Sequence, residues 1–201
     1  MKARSVTAVL VCMFVASACF AQGKASVLLV KIQDHARSTS YEVMTPEEYK
    51  TLQKTVADEA KYFKRALEFA EKAWQQDETL KEERFPSTAT SPRKVLAIGQ
   101  PYADRSKAAD KMISYTDKER ERDSEEQAAL DKVYSQMRKN EGLDKKGKCR
   151  AQIEDEKKAA LYKAAREIVI DNLAALIASG GKMTQPKAAS APSAGGEGED
   201  D

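Results

Sequence analysis

The sequence predicts a predominantly helical α+β protein, with long amphipathic, coiled-coil-like helices on a small two- to three-stranded sheet and a disordered C-terminal tail. Short β-branched apolar runs indicate strands, whereas apolar residues at spacings of three and four indicate long helices. The 201 residues are 33% charged and include 34 Lys+Arg, 32 Asp+Glu and three cysteines. This composition excludes a transmembrane bundle, a disulfide scaffold and a nucleic-acid binder that depends on bulk charge.

The first 21 residues are typical of an export signal. A basic start is followed by an apolar run over 6–18 and then by small residues. Two processing routes remain open: cleavage between Ala21 and Gln22, or lipidation of Cys19 at a lipobox-like sequence. We therefore expect an exported, periplasmic protein, with a lipid anchor at Cys19 as the alternative.

Removal of the export signal leaves no net charge on the chain. The signal contains two basic residues and no acid, so 34 basic residues become 32, equal to the 32 acids. A neutral chain has no overall field that attracts phosphate or an acidic membrane. We expect no nucleic-acid partner and no membrane span.

A predicted hairpin with strands at 27–32 and 40–44 precedes the clearest local signal in the chain. Thr45 starts a capping box with Glu48, and Pro46 lies at the first helical position. A long helix should begin here and continue to about Glu83.

Apolar side chains recur along this helix at a near-heptad spacing and form one stripe. The stripe either packs on the third helix as ordinary core, or part of it forms a coiled-coil oligomer or holds a client protein. The candidate interaction or packing residues are Tyr49, Leu52, Val56, Phe63, Leu67 and Trp74.

The second half of the chain predicts a third strand at 94–98 and two more helices. Asp104 is the expected N-cap of the second helix. The following stretch 117–127 contains no apolar residue and is either a helix without a packing partner or a break in the helix. The third helix covers about 149–179. The domain organisation is thus a signal peptide (1–21), one helical α+β domain (22–181) and a disordered tail rich in Ala, Pro, Gly and acid (182–201).

The sequence contains no recognisable catalytic constellation. The single histidine, His35, lies in a predicted polar turn and is expected to be an ordinary surface residue. Cys149 is the one cysteine outside the export segment, and neither residue has the spacing of a zinc site or a nucleophile elbow. We expect no enzyme activity, no cofactor and no metal.

Two resemblances bear on function. In organisation, an exported chain with long charged helices and a small sheet resembles the Skp-type periplasmic chaperones, which implies a holdase for unfolded outer-membrane proteins. The segment 94–105 (KVLAIGQPYADR), followed by Ala108 and Ala109, is similar to the strand-turn-helix part of sporulation-related repeat (SPOR) domains, which implies peptidoglycan binding.

From the residues themselves we expect a non-enzymatic cell-envelope protein that acts as a helical scaffold or protein-interaction module and self-associates.

Overall fold

The computed structural model describes residues 26–86, 91–141, 143 and 145–188. It confirms the predicted fold class, because three long helices pack on a small three-stranded antiparallel sheet. The elements in chain order are β1 (Val27–Gln33), β2 (Thr39–Met44), α1 (Pro46–Gln76), β3 (Lys94–Tyr102), α2 (Arg105–Asn140) and α3 (Arg150–Ala178).

The sheet has β1 at its centre, with β2 and β3 antiparallel on either side. The predicted β1–β2 hairpin is present, and Asp34 closes its turn by accepting hydrogen bonds from the backbone N–H of Ala36 and Ser38. Leu29 and Val30 are both fully buried. Because neighbouring strand residues point to opposite faces, both faces of β1 are covered; α1 and α2 both contact this strand.

The third strand is longer than predicted and is interrupted. Its register against β1 shifts between the partners of Val27 and Leu29, and Gly99 within this irregularity has φ 70°. A left-handed residue of this kind is accommodated by glycine at a bulge. Pairing therefore resumes at Tyr102 instead of ending at Ile98.

Helix α1 starts as predicted and ends seven residues early. Thr45 and Glu48 make both hydrogen bonds of the capping box. At the other end, the Asp77 carboxylate accepts hydrogen bonds from the backbone N–H and the hydroxyl of Thr79. This local turn competes with helical hydrogen bonds, so the helix stops at Gln76 and the predicted end near Glu83 is wrong.

The chain after Asp77 folds back over the end of α1. The indole N–H of Trp74 donates to the Glu83 carbonyl at 2.8 Å, and the Trp74 ring meets Phe85 edge-on at 5.4 Å. The segment after Gln76, predicted as the last two turns of α1, therefore packs over Trp74 and shields it from solvent.

The main core lies between α1 and α3. Small residues on α1 allow the two helices to approach closely, and branched side chains of α3 fill the remaining space. The buried members of this cluster are Phe63, Ala66, Phe69, Ala70, Ala73, Trp74, Ala165, Ile168, Val169, Leu173 and Leu176.

Helix α2 is continuous through 117–127, so the charged stretch is a helix and not a break. Its start contacts the hairpin, since Glu119 accepts a hydrogen bond from Tyr41, whereas the residues from 120 to 133 are exposed. At 36 residues it is about 54 Å long. The structure contains, in the ranges it describes, no helix long and apolar enough to cross a membrane.

Past α3, residues 182–188 lack helix and strand but lie against the helices. Arg65 donates to the carbonyls of Gly181 and Met183, and the buried Asn172 amide pairs with both backbone groups of Lys187. The predicted signal peptide with its processing residues Cys19, Ala21 and Gln22, and positions 189–201 of the predicted tail, lie outside the described residues.

Candidate functional site

The predicted stripe of α1 lies largely inside the molecule. Val56, Phe63 and Trp74 are buried, whereas Tyr49, Leu52 and Leu67 are half-buried. Phe63 and Trp74 belong to the core shared with α3, and Leu67 packs against that core. The Tyr49 hydroxyl accepts a hydrogen bond from the Ala97 N–H at 3.2 Å, which ties α1 to β3.

A buried carboxylate on α1 was missed by the sequence reasoning. Glu59 is 9% exposed and receives two hydrogen bonds from the Arg93 guanidinium: Nε to Oε2 at 2.8 Å and Nη2 to Oε1 at 2.5 Å. This two-pronged pairing is the strong geometry for arginine and carboxylate, and it raises the pKa of Arg93. A signal existed in the sequence, because Glu59 continues the three–four spacing of Leu52, Val56 and Phe63.

His35 is not an ordinary surface residue, and that prediction is wrong. Its side chain is only 11% exposed, its ring stacks on Phe63, and its Nδ1 lies 2.9 Å from the Ser91 carbonyl oxygen. The Ser91 N–H in turn donates to the His35 carbonyl at 3.2 Å. The β1–β2 turn is polar as predicted, but the chain before β3 and the helix α1 enclose it.

His35 and Glu59 form the polar end of a cleft of about 330 Å³. The Nε2 atom of His35 lies 3.9 Å from Oε2 of Glu59. The opposite wall belongs to α3 and is entirely apolar: Ile170, Leu173, Ala174, Ile177 and Ala178.

The second candidate surface is a helical arm, which we define as 117–140 of α2, 150–160 of α3 and the described residues between them (141, 143 and 145–149). Every residue from 120 to 133 and from 153 to 160 is exposed. The two helices are joined near the end of the arm by a 2.8 Å hydrogen bond from the Tyr134 hydroxyl to Asp155, which raises the pKa of Tyr134. Cys149 is free and fully buried beside this joint.

The arm carries apolar residues between two segments of opposite charge. Leu130 and Val133 are 40% and 45% exposed. The segment 117–126 has six acidic and three basic residues, whereas 138–150 has six basic and two acidic residues. We call these the acidic segment and the basic segment.

Helix α2 is held on the sheet by its first part. The Tyr41 ring stacks on Tyr115, and its hydroxyl donates to Glu119 at 3.0 Å. Burial, followed by this hydrogen bond, raises the pKa of Tyr41. The first residues of the arm are therefore anchored to the sheet, and α2 is exposed from residue 120 to residue 133.

Within the described ranges, no group of three or more His, Cys, Asp or Glu side chains is placed to hold a metal ion. Comparison with models of known families, with curated protein sequences and with solved structures finds no significant match for this chain.

Proposed function

We propose that this protein is an exported, self-associating helical scaffold of the cell envelope, in which the arms of two copies pair antiparallel. The observation that carries the proposal is the charge pattern of the arm: an acidic segment and a basic segment flank exposed Leu130 and Val133.

The occupant of this face is a second copy of the chain because the face is complementary to itself. In a two-fold pair, residue i of one chain contacts residue j of the other, and j contacts i. An antiparallel arrangement sets each acidic segment beside the partner's basic segment, whereas a parallel arrangement sets like charges together.

The position of the apolar residues agrees with this arrangement. If the two-fold axis crosses α2 between 131 and 132, Leu130 of each copy meets Val133 of the other. The same register sets Arg138 and Lys139, in the last turn of α2, opposite Glu125 and Ser124 in the partner's acidic segment, and the rest of the basic segment follows beyond the end of α2. The apolar contact then lies at the centre of the interface and the charges at its ends.

Apolar substitution and salt test the proposal together. We expect mature protein (22–201) to self-associate at micromolar concentration in sedimentation velocity. The double substitution Leu130→Ser with Val133→Ser should weaken the association about tenfold or more, because each dimer loses four apolar side chains that contribute roughly 1 kcal/mol or less apiece. Ile113→Ser is the matched control, because Ile113 is an exposed residue of α2 outside the arm. Raising the salt should also weaken association.

A mixing experiment tests the charge pattern. Glu125→Lys with Glu126→Lys makes the acidic segment basic, and Arg138→Glu with Lys139→Glu neutralises the basic segment. The first variant alone should associate less than wild type because both of its segments are basic. Mixing the two variants should restore association through the remaining opposite segments, and a mixture as weak as the first variant alone contradicts the proposal.

The export part of the proposal is tested by intact mass of the protein recovered from cells. A chain that starts at Gln22 supports simple cleavage, and a chain that starts at an acylated Cys19 supports lipid anchoring. Retention of the full 201 residues in the cytoplasm contradicts export.

The two alternatives from sequence resemblance have tests of their own. A Skp-like holdase suppresses aggregation of an unfolded outer-membrane protein, and Leu130→Ser with Val133→Ser removes that effect. A SPOR-like protein co-sediments with purified peptidoglycan, and Tyr102→Ala weakens the co-sedimentation.

A further inference from the structure

The cleft between the β1–β2 turn and α3 contains two hydrogen-bond acceptors that face each other. The Ser91 carbonyl oxygen can only accept, so the Nδ1 of His35, 2.9 Å away, must carry the hydrogen. In the neutral ring, Nε2 is then an acceptor. It lies 3.9 Å from Oε2 of Glu59, which is also an acceptor.

Two acceptors of this kind do not hydrogen-bond to each other. A separation of 3.9 Å is too long for a direct hydrogen bond, but one donor atom beside the pair can lie within hydrogen-bond distance of both acceptors. Arg93 donates to both carboxylate oxygens of Glu59, including Oε2, which keeps room for a further donor, and the Phe63 ring stacks on His35. Both acceptors are thus held in place independently of any ligand.

The rest of the cleft accepts an aliphatic group. Ile170, Leu173 and Ile177 provide apolar surface, while Ala174 and Ala178, one helical turn apart, leave the space open. A volume of about 330 Å³ holds roughly ten non-hydrogen atoms at about 30 Å³ each, the share of one water molecule in the liquid. This size lies at the lower end of small-molecule sites.

We infer that the cleft binds a primary alkylammonium group, whose NH₃⁺ donates to His35 Nε2 and Glu59 Oε2 and whose aliphatic chain lies on α3. An ammonium has three donors and can satisfy both acceptors at once, whereas a hydroxyl has a single donor. A carboxylate brings only further acceptors and has no hydrogen to donate to either His35 Nε2 or Glu59 Oε2. The inference is independent of pairing through the arm, which involves other residues.

The chain's single histidine makes the test direct. In NMR spectra of the imidazole, Nδ1 should carry a hydrogen, and n-hexylammonium should shift the His35 signals saturably. Hexan-1-ol, of the same length, should bind at least fivefold more weakly, and hexanoate should leave the signals unchanged. Equal binding of all three compounds, or hexanoate binding tighter, overturns the inference.

Two variants separate the site from a general apolar surface. Ala174→Leu fills the cleft without touching either acceptor and should abolish the hexylammonium shifts, whereas Ala160→Leu, on an exposed part of the same helix, should leave them intact. His35→Phe retains a ring against Phe63 but removes Nε2. We expect His35→Phe to weaken hexylammonium binding at least tenfold, measured through the Ile177 methyl signals. Unchanged binding in Ala174→Leu or in His35→Phe overturns the inference.

Nα-acetyl-lysine amide, which keeps its side-chain ammonium, distinguishes a lysine side chain from a free amine as the ligand. Binding comparable to hexylammonium assigns the site to a lysine side chain of a protein, and binding of hexylammonium alone assigns it to a free amine.

Discussion

The Glu59–Arg93 pair allows a quantitative test of the structure around the cleft. Arg93→Met leaves the carboxylate without its partner, and Glu59→Met leaves the guanidinium without its own. The double substitution removes both charges and replaces them with apolar groups of similar length. These three variants and the wild type form a double-mutant cycle.

The burial of each partner sets the expected magnitudes. Breaking a fully buried ion pair costs about 3–5 kcal/mol, but the Arg93 side chain is 29% exposed and water reaches the pair. We therefore expect Arg93→Met to destabilise by about 2–3 kcal/mol and Glu59→Met by about 1 kcal/mol, because the freed arginine can turn to solvent. The double variant should be within about 1 kcal/mol of wild type.

Urea unfolding at fixed protein concentration measures these differences. The fluorescence of Trp74 reports unfolding of the α1–α3 core, because this single tryptophan is 1% exposed. We expect a coupling energy of about 2–3 kcal/mol between the two substitutions. Additive effects of the two single substitutions would refute the pairing, and with it the fixed position of Glu59 beside His35.

Three further predictions concern stability. Leu176→Ala in the α1–α3 core should cost about 3 kcal/mol in urea unfolding, against less than about 0.5 kcal/mol for Leu130→Ala in a protein kept monomeric by dilution. Thr45→Ala should cost about 1 kcal/mol through loss of the capping box, and a cost as large as that of Leu176→Ala would contradict a purely local role. Stability should fall as the pH rises above about 10, because the folded state raises the pKa of Tyr41 and Tyr134 and the unfolded chain deprotonates first. Replacing both by phenylalanine should weaken this dependence and leave the part due to Lys157, whose pKa is raised by Glu83; a wild-type stability that stays flat would contradict it.

Local signals in the sequence predicted the elements well where the hydrogen bonds are local. The capping box of Thr45 and Glu48 depends on residues three positions apart and formed as expected. The Asp104 cap of α2 formed for the same reason. The end of α1 was missed because Asp77 and Thr79 compete for the backbone, an effect that a run of good helix formers conceals.

The cleft was not predictable because its parts are distant in the sequence. His35, Glu59 and Arg93 come from a turn, a helix and the segment before β3, and Ile177 comes from the end of the chain. The spacing along α1 shows Glu59 at an apolar position, but no local pattern pairs it with an arginine 34 residues later. The polar composition of the hairpin turn gave no sign that helix α1 would bury His35.

The arm was predictable in part. The absence of apolar residues over 117–127 left a partnerless helix and a break as equal alternatives. The structure decides for the helix. The acidic segment, Leu130, Val133 and the first basic residues, Arg138 and Lys139, therefore lie on one continuous helix, and the rest of the basic segment lies beyond its end at Asn140. The sequence shows the opposite charges of the two segments, but the proposed antiparallel pairing depends on a continuous helix α2.

Distances between spin labels in the self-associated protein test the antiparallel arms most directly. In mature protein carrying Cys149→Ala, a nitroxide at position 132 lies next to the proposed two-fold axis, and a nitroxide at position 120 lies about twelve residues from it. At a rise of 1.5 Å per residue, antiparallel arms should give a short intermolecular distance, under about 20 Å, for the first label and about 35 Å for the second. Equal short distances at both positions, as in parallel arms, or no intermolecular distance at either position, would contradict antiparallel pairing.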